Sequence, residues 1–152
     1  MLLHGLLGSR RNLAVLARDL VRARSDLLLV LADLTGHGAS PPLPASADLS
    51  VLAGDVLALA DHLNLPSPIR IIGHSLGARI ALKALALRPY GVEAVGLLDM
   101  APGPLDSPLA GDGVMQRLQE APERFPTRRA ASDHFISRGL SRPMANWLAM
   151  NL

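Results

Sequence analysis

The chain has 152 residues, 49% hydrophobic and only 3% aromatic, with a formal net charge of +2. That length argues for one domain with a sizeable core of Leu, Ala, Val and Ile, and the absence of cysteine excludes a disulfide framework and a thiolate metal site. Lys83 is the sole lysine, the arginines are interleaved with Asp along the chain, and Arg128-Arg129 is too short a cluster to mark a nucleic-acid footprint.

The chain opens on an apolar strand at residues 1–3, followed by a glycine-bounded loop at 4–8. Leu13, Leu16, Ala17, Leu20 and Val21 recur at helical spacing, which predicts an amphipathic helix over 12–24. Residues 27–32 are a continuous apolar run, the pattern of a strand buried on both faces. A Gly- and Pro-rich loop at 33–44 leads to a second amphipathic helix over 48–63. Pro66 and Pro68 punctuate the exit, and residues 69–72 form the next strand. A helix to about residue 87 and a strand over 94–98 follow. This β-α-β-α-β-α-β alternation predicts an α/β fold, a parallel sheet with helices on both sides. Beyond Asp99 a Pro- and Gly-rich link precedes three short helical patterns, near 111–120, 127–137 and 143–151. The expected division is a core over 1–104 and a helical segment over 105–152. No apolar run approaches ~20 residues, so no membrane span is expected. Residues 1–5 lack the basic and apolar regions of a leader, so the expected location is cytoplasmic.

The chemistry concentrates at Gly73-His74-Ser75-Leu76-Gly77, a G-x-S-x-G between a strand and a helix. A serine on so sharp a turn is lifted out of the sheet with its hydroxyl free to attack a carbonyl. Its backbone is expected at positive φ or near the edge of the allowed region. The plain alternative is a helix N-cap serine, but a cap does not need two flanking glycines. The loop His4-Gly5-Leu6-Leu7-Gly8 ends a strand of the same parallel sheet, so it lies at the same edge as the elbow. The backbone N–H groups of Leu6 and Leu76 are then the candidate donors to an oxyanion. An ordinary tight turn is the alternative for that loop. Asp33-Leu34-Thr35-Gly36-His37-Gly38-Ala39-Ser40 is read as a structural loop, with His37 fixing its shape.

"LLHGLLGSRRNL", "DLTGHGAS", "IIGHSLGARIALKAL" and "VGLLDMAPGP" occur in the order and rough spacing of the α/β-hydrolase superfamily. Over nearly its whole length the chain resembles the small bacterial esterase and ABHD-type group marked by "HGLxGS", "GHSxGG" and "DxAP". The resemblance implies a serine hydrolase acting on a small-molecule carboxylic ester or thioester, with no cofactor and no metal. It implies Ser75 as nucleophile and Asp99, closing the strand after the nucleophile strand, as the acid of the triad. Many members of the superfamily carry that acid one strand later, and an Asp that simply starts a turn is the alternative. His4, Gly5, Gly73, His74 and Gly77 are the supporting motif residues, and residues 105–152 resemble the start of a helical lid. The last glycine of the extended motif is Ala78, a change of little consequence. The departure of weight is the base. The fold places its catalytic His after the acid, and His134, in the lid segment, is the sole histidine downstream of Asp99. His62 reads as a surface helix residue. The chain therefore resembles a hydrolase truncated at both ends and lacking its general base. A truncated or degenerate, non-catalytic binding module is the alternative.

Overall fold

The computed structural model describes residues 1–44, 46–100, 117–118 and 120–151. The predicted link after Asp99 and most of the helical pattern at 111–120 lie outside the described residues. The chain divides into two compact units, Met1–Pro102 and Gly103–Leu152.

The first unit holds four parallel strands, β1 (Leu2–Leu3), β2 (Leu31–Ala32), β3 (Ile69–His74) and β4 (Val92–Leu98), in the order β2-β1-β3-β4. Three helices connect them: α1 (Ala14–Ala23), entered through a 3-10 turn at Arg10–Leu13, α2 (Leu49–His62) and α3 (Leu76–Leu87). Right-handed crossovers put α1 on one face of this sheet and α2 and α3 on the other. The core lies between the sheet and α2 and α3. Leu52, Ala53, Val56 and Leu57 of α2 and Ile80, Ala81 and Ala84 of α3 close over Leu3, Ile71 and Val92. Burial of Leu- and Ile-sized side chains contributes about 1.5–3 kcal/mol each relative to exposure. Asp48 starts α2 as its N-cap, accepting from the amides of Ser50 at 2.8 Å and Val51 at 2.9 Å. That satisfies two of the donors a helix start leaves open.

The helix expected over 12–24 forms as the 3-10 turn and α1, whereas the strand expected over 27–32 is shorter. The run 27–32 pairs over only Leu31–Ala32, and Leu28 is 71% exposed. Helix α1 buries only Ala17, while Leu16 and Val21 stay exposed. Among the described residues β2 is an edge strand whose one partner, β1, is two residues long. The sheet on that side is too small to cover two apolar faces.

The second unit contains α4 (Arg128–Ser137), capped by the Thr127 hydroxyl, which accepts from Ala130 N–H at 3.1 Å, and α5 (Arg142–Asn151). Phe135 and Leu148 are fully buried. Among the described residues no helix is long and apolar enough to cross a membrane.

Candidate functional site

The sheet register delivers four loops to one edge. Leu3 is level with Ala32 and with Gly73, and Gly73 with Leu97. The next residues, His4, Asp33, His74 and Leu98, therefore stand in one row at its C-terminal edge. The chain runs from β1 outward to β2 and then back across to β3, so the strand order reverses between β1 and β3. Open parallel sheets bind ligands at the C-terminal edge beside such a reversal.

Ser75 immediately precedes α3 with φ 50° and ψ −110°, and its side chain makes no capping hydrogen bond. Its amide still donates to Leu98 O at 3.0 Å, so the ladder between β3 and β4 reaches as far as the turn. The left-handed backbone costs a non-glycine residue of order 1–3 kcal/mol and persists only where neighbours over-determine it. Those neighbours are identifiable. A Cβ on Gly77 would sit 2.5 Å from Leu3 O and 2.6 Å from His4 O, so α3 begins in direct contact with the backbone of β1. A Cβ on Gly73 would overlap the backbone of Gly77 and Ala78. Both flanking glycines of the motif are therefore close approaches of backbone to backbone. Three of the four non-glycine residues with positive φ among those described, Leu7, Ser75 and Asp99, stand in these edge loops. The fourth, Asn64, follows the end of α2, where Asn is ordinary.

Loop 4–8 lies against the elbow. A Cβ on Gly5 would come within 3.3 Å of the Ser75 Cβ and 2.7 Å of His74 Nδ1. Leu6 is the next residue. Leu76, the first residue of α3, has one of the N–H groups that a helix start leaves without an intrahelical acceptor. Asp99 follows Leu98, the last residue of β4 and level with His74, and so stands just past the end of the neighbouring strand. Its carboxylate is 88% exposed, and its Oδ2 lies 3.6 Å from His74 Nε2. That is ion-pair range for a protonated imidazole and too long for a direct hydrogen bond.

His4 is the buried member of the group, 1% exposed. The amide of Leu34 donates to its Nε2 at 3.0 Å, which makes Nδ1 the protonated nitrogen, donating to Gly5 O at 2.8 Å. The ring is a neutral bridge between the loops after β1 and β2. Burial lowers its pKa, outweighing the hydrogen bond to Gly5 O, while the His37 ring, 5.2 Å away, and His74 also disfavour its charge and Asp33 favours it. A lowered folded-state pKa means that the unfolded chain binds more protons below about pH 6.5, the ordinary His value. The contribution of His4 to stability is therefore complete above that pH and is lost as the pH falls toward its folded value. Urea midpoints of the chain should drop between pH 7.5 and 5.5, and the drop should shrink in His4→Gln. An equal drop in both would show that His4 is not the group responsible.

Three features of this edge have no signature in the sequence. The strain at Leu7 carries no signal in a leucine. The bonding of His4 depends on Leu34, thirty residues away. The third is Asp33, placed in a structural loop, whose side chain is 5% exposed and accepts from Arg10 N–H at 2.6 Å, Arg10 Nη1 at 2.6 Å and Ala39 N–H at 3.0 Å. Burial pushes its pKa up, but the Arg10 and Ala39 amides and the Arg10 charge outweigh that, and the net shift is downward. Downstream of Asp99, the His134 ring packs against Phe125 and Phe135 within the second unit, and its Nε2 is buried without a hydrogen-bond partner among the described residues.

Comparison with known proteins places this geometry. Residues 1–142 match the family model described as alpha/beta hydrolase fold. The sn-1-specific diacylglycerol lipase ABHD11 of Xenopus laevis is 30% identical over 158 residues, covering 100% of this chain and 49% of that protein. Esterase YbfF of Escherichia coli is 34% identical over 102 residues, covering 67% of this chain and 38% of that protein. Among solved structures, E-2-(acetamidomethylene)succinate hydrolase superposes with a TM-score of 0.72 at 24% identity, over 99% of this chain and 55% of that one. The chain spans half or less of the length of these two curated relatives. With a family model matched over all but the last ten residues, and an elbow built as its motif demands, the chain belongs to the alpha/beta hydrolase fold family.

Proposed function

We propose that the chain carries the acyl-transfer centre of a serine hydrolase acting on small carboxylic esters or thioesters. Ser75 is the nucleophile. Its Oγ bonds to the acyl carbon as its proton leaves to a base, and the carbonyl oxygen becomes an oxyanion. Leu6 and Leu76 N–H donate to that oxyanion, and the start of α3 adds the positive end of its dipole. Collapse breaks the bond to the alcohol or thiol, which takes up the proton, and water later releases the acid from Ser75. None of these steps needs an electron carrier. Asp99 is the orienting carboxylate, just past the end of the strand beside that of Ser75. The observation that carries this reading is the strained backbone of Ser75, wedged between β3 and α3 with Gly5 against its Cβ. The names of the relatives, a diacylglycerol lipase and an esterase, support esters as the substrate class. The test is hydrolysis of p-nitrophenyl acetate by the chain and by Ser75→Ala. A rate that the alanine leaves unchanged would remove Ser75 from the mechanism.

The second reading is a module that keeps a binding edge without turnover. It is favoured by the placement of His134, the only histidine after Asp99, with Nε2 buried beside Phe125. Under that reading an ester analogue binds but acyl transfer to Ser75 does not occur.

A further inference from the structure

We infer that His4 and Asp33 are positioning residues for the Leu6 amide, the first setting its direction and the second holding its loop. This rests on the reading of Leu6 as an oxyanion donor and goes beyond it, because neither side chain touches the substrate.

The first half follows from the planarity of the peptide bond. Gly5 C=O and Leu6 N–H belong to one trans peptide unit, so they point in opposite directions and turn together. Gly5 O accepts two bonds, from His4 Nδ1 at 2.8 Å and from Gly8 N–H at 3.0 Å. With the carbonyl held at two points, the amide of Leu6 has one direction left. The His4 ring cannot swing to release it, because Nε2 is engaged by the Leu34 amide at 3.0 Å in a site 1% exposed.

The second half concerns the far end of the loop. Arg10 follows Ser9 at the start of the 3-10 turn, and both its amide and its guanidinium donate to Asp33 at 2.6 Å. The carboxylate is itself fixed. Ala39 N–H binds Oδ2 at 3.0 Å, and the Ser40 hydroxyl binds the Asp33 carbonyl at 2.7 Å. Gly38 lies so close that a Cβ there would reach 2.5 Å from Oδ2. Loop 4–10 is thus tied to the loop after β2 at both ends, by His4 to Leu34 and by Arg10 to Asp33. Preorganisation of this kind lets an oxyanion donor act without reorganising during the reaction.

The experiment measures two quantities on the full chain, in the parent, Asp33→Ala and Asp33→Asn. One is amide hydrogen exchange over residues 5–12. The other is the rate of acetylation of Ser75 by p-nitrophenyl acetate as a function of ester concentration. In Asp33→Ala, exchange over 5–12 should rise about tenfold or more while α2 and α3 keep their protection. The saturating acetylation rate should fall about tenfold or more, since misplacement near 1 Å can cost that much. The half-saturating concentration should change little. Asp33→Asn keeps an acceptor for Arg10 N–H and should fall between, and it replaces the alanine if α2 and α3 lose protection there. Unchanged exchange over 5–12, or faster exchange with an unchanged acetylation rate, overturns the inference. Failure of the underlying reading has a different mark: acetylation and hydrolysis that persist in Ser75→Ala, whatever the loop does.

Discussion

Gly77→Ala should lower the stability of the first unit by about 2 kcal/mol or more. Two terms oppose each other. Alanine in a helix is favoured over glycine by about 1 kcal/mol. Against this, the new Cβ would stand 2.5 Å and 2.6 Å from the carbonyl oxygens of Leu3 and His4, which are backbone atoms. Side-chain overpacking costs about 1–3 kcal/mol, and a contact with backbone has fewer ways to relax. Leu3 cannot yield, since it is paired with Ala32 on one side and Gly73 on the other. Helix α3 must move instead, and Ser75 moves with it. Gly54→Ala in α2 is the matched control, because a Cβ there meets nothing within 4 Å. It should stabilise by up to about 1 kcal/mol. Urea midpoints of the two variants should therefore shift in opposite directions. A Gly77→Ala midpoint equal to the parent's would mean that α3 does not press on β1.

The second large effect is on turnover. The 152-residue chain should hydrolyse p-nitrophenyl acetate orders of magnitude more slowly than a complete triad does. Ser75 at neutral pH is a protonated alcohol and a weak nucleophile without a base beside it. The imidazole facing Asp99 is that of His74, at 3.6 Å, and His134 is packed against Phe125 and Phe135. Oxyanion donors and binding still act when a triad member is lost, leaving about 10³-fold over water. The same deficiency slows water attack on the acyl-enzyme, so the acetylated form should accumulate. Steady-state rates and the intact mass of the chain during the reaction check this together. Fast turnover without an accumulating adduct would require a positioned base, and His134→Ala and His74→Ala would then locate it.

The parts legible in the sequence are those whose geometry is local. Gly73, Ser75 and Gly77 predict the turn because a strand cannot enter a helix that sharply with bulkier flanks. Helix α3 runs over the predicted residues, and α2 differs only in that Asp48 and Leu63 are its caps. Strand β4 begins two residues before the predicted start, because the turn at Tyr90-Gly91 already feeds Val92 into pairing with Ile69. The run 27–32 misled because apolarity reports a tendency to be buried, whereas pairing depends on the partner. That partner, β1, begins at Leu2, level with Leu31, so residues 27–30 lie ahead of the paired stretch. The clamp on loop 4–10 was invisible for another reason. Arg10 and Asp33 are twenty-three residues apart, and His4 and Leu34 thirty. Only the sheet order that sets β2 beside β1 brings them together.

The central claim, that Ser75 is the nucleophile, is tested most directly by finding the acetyl group. After long incubation with p-nitrophenyl acetate the chain is digested and its modified peptides are sequenced by mass spectrometry. Amines such as that of Lys83 react as well, but as amides, whereas a serine ester is cleaved by hydroxylamine. The account predicts one hydroxylamine-sensitive acetyl group, on Ser75, absent from Ser75→Ala and slower to form in Asp33→Ala. A hydroxylamine-sensitive acetyl group on another residue, or acetyl groups confined to amines, would contradict it.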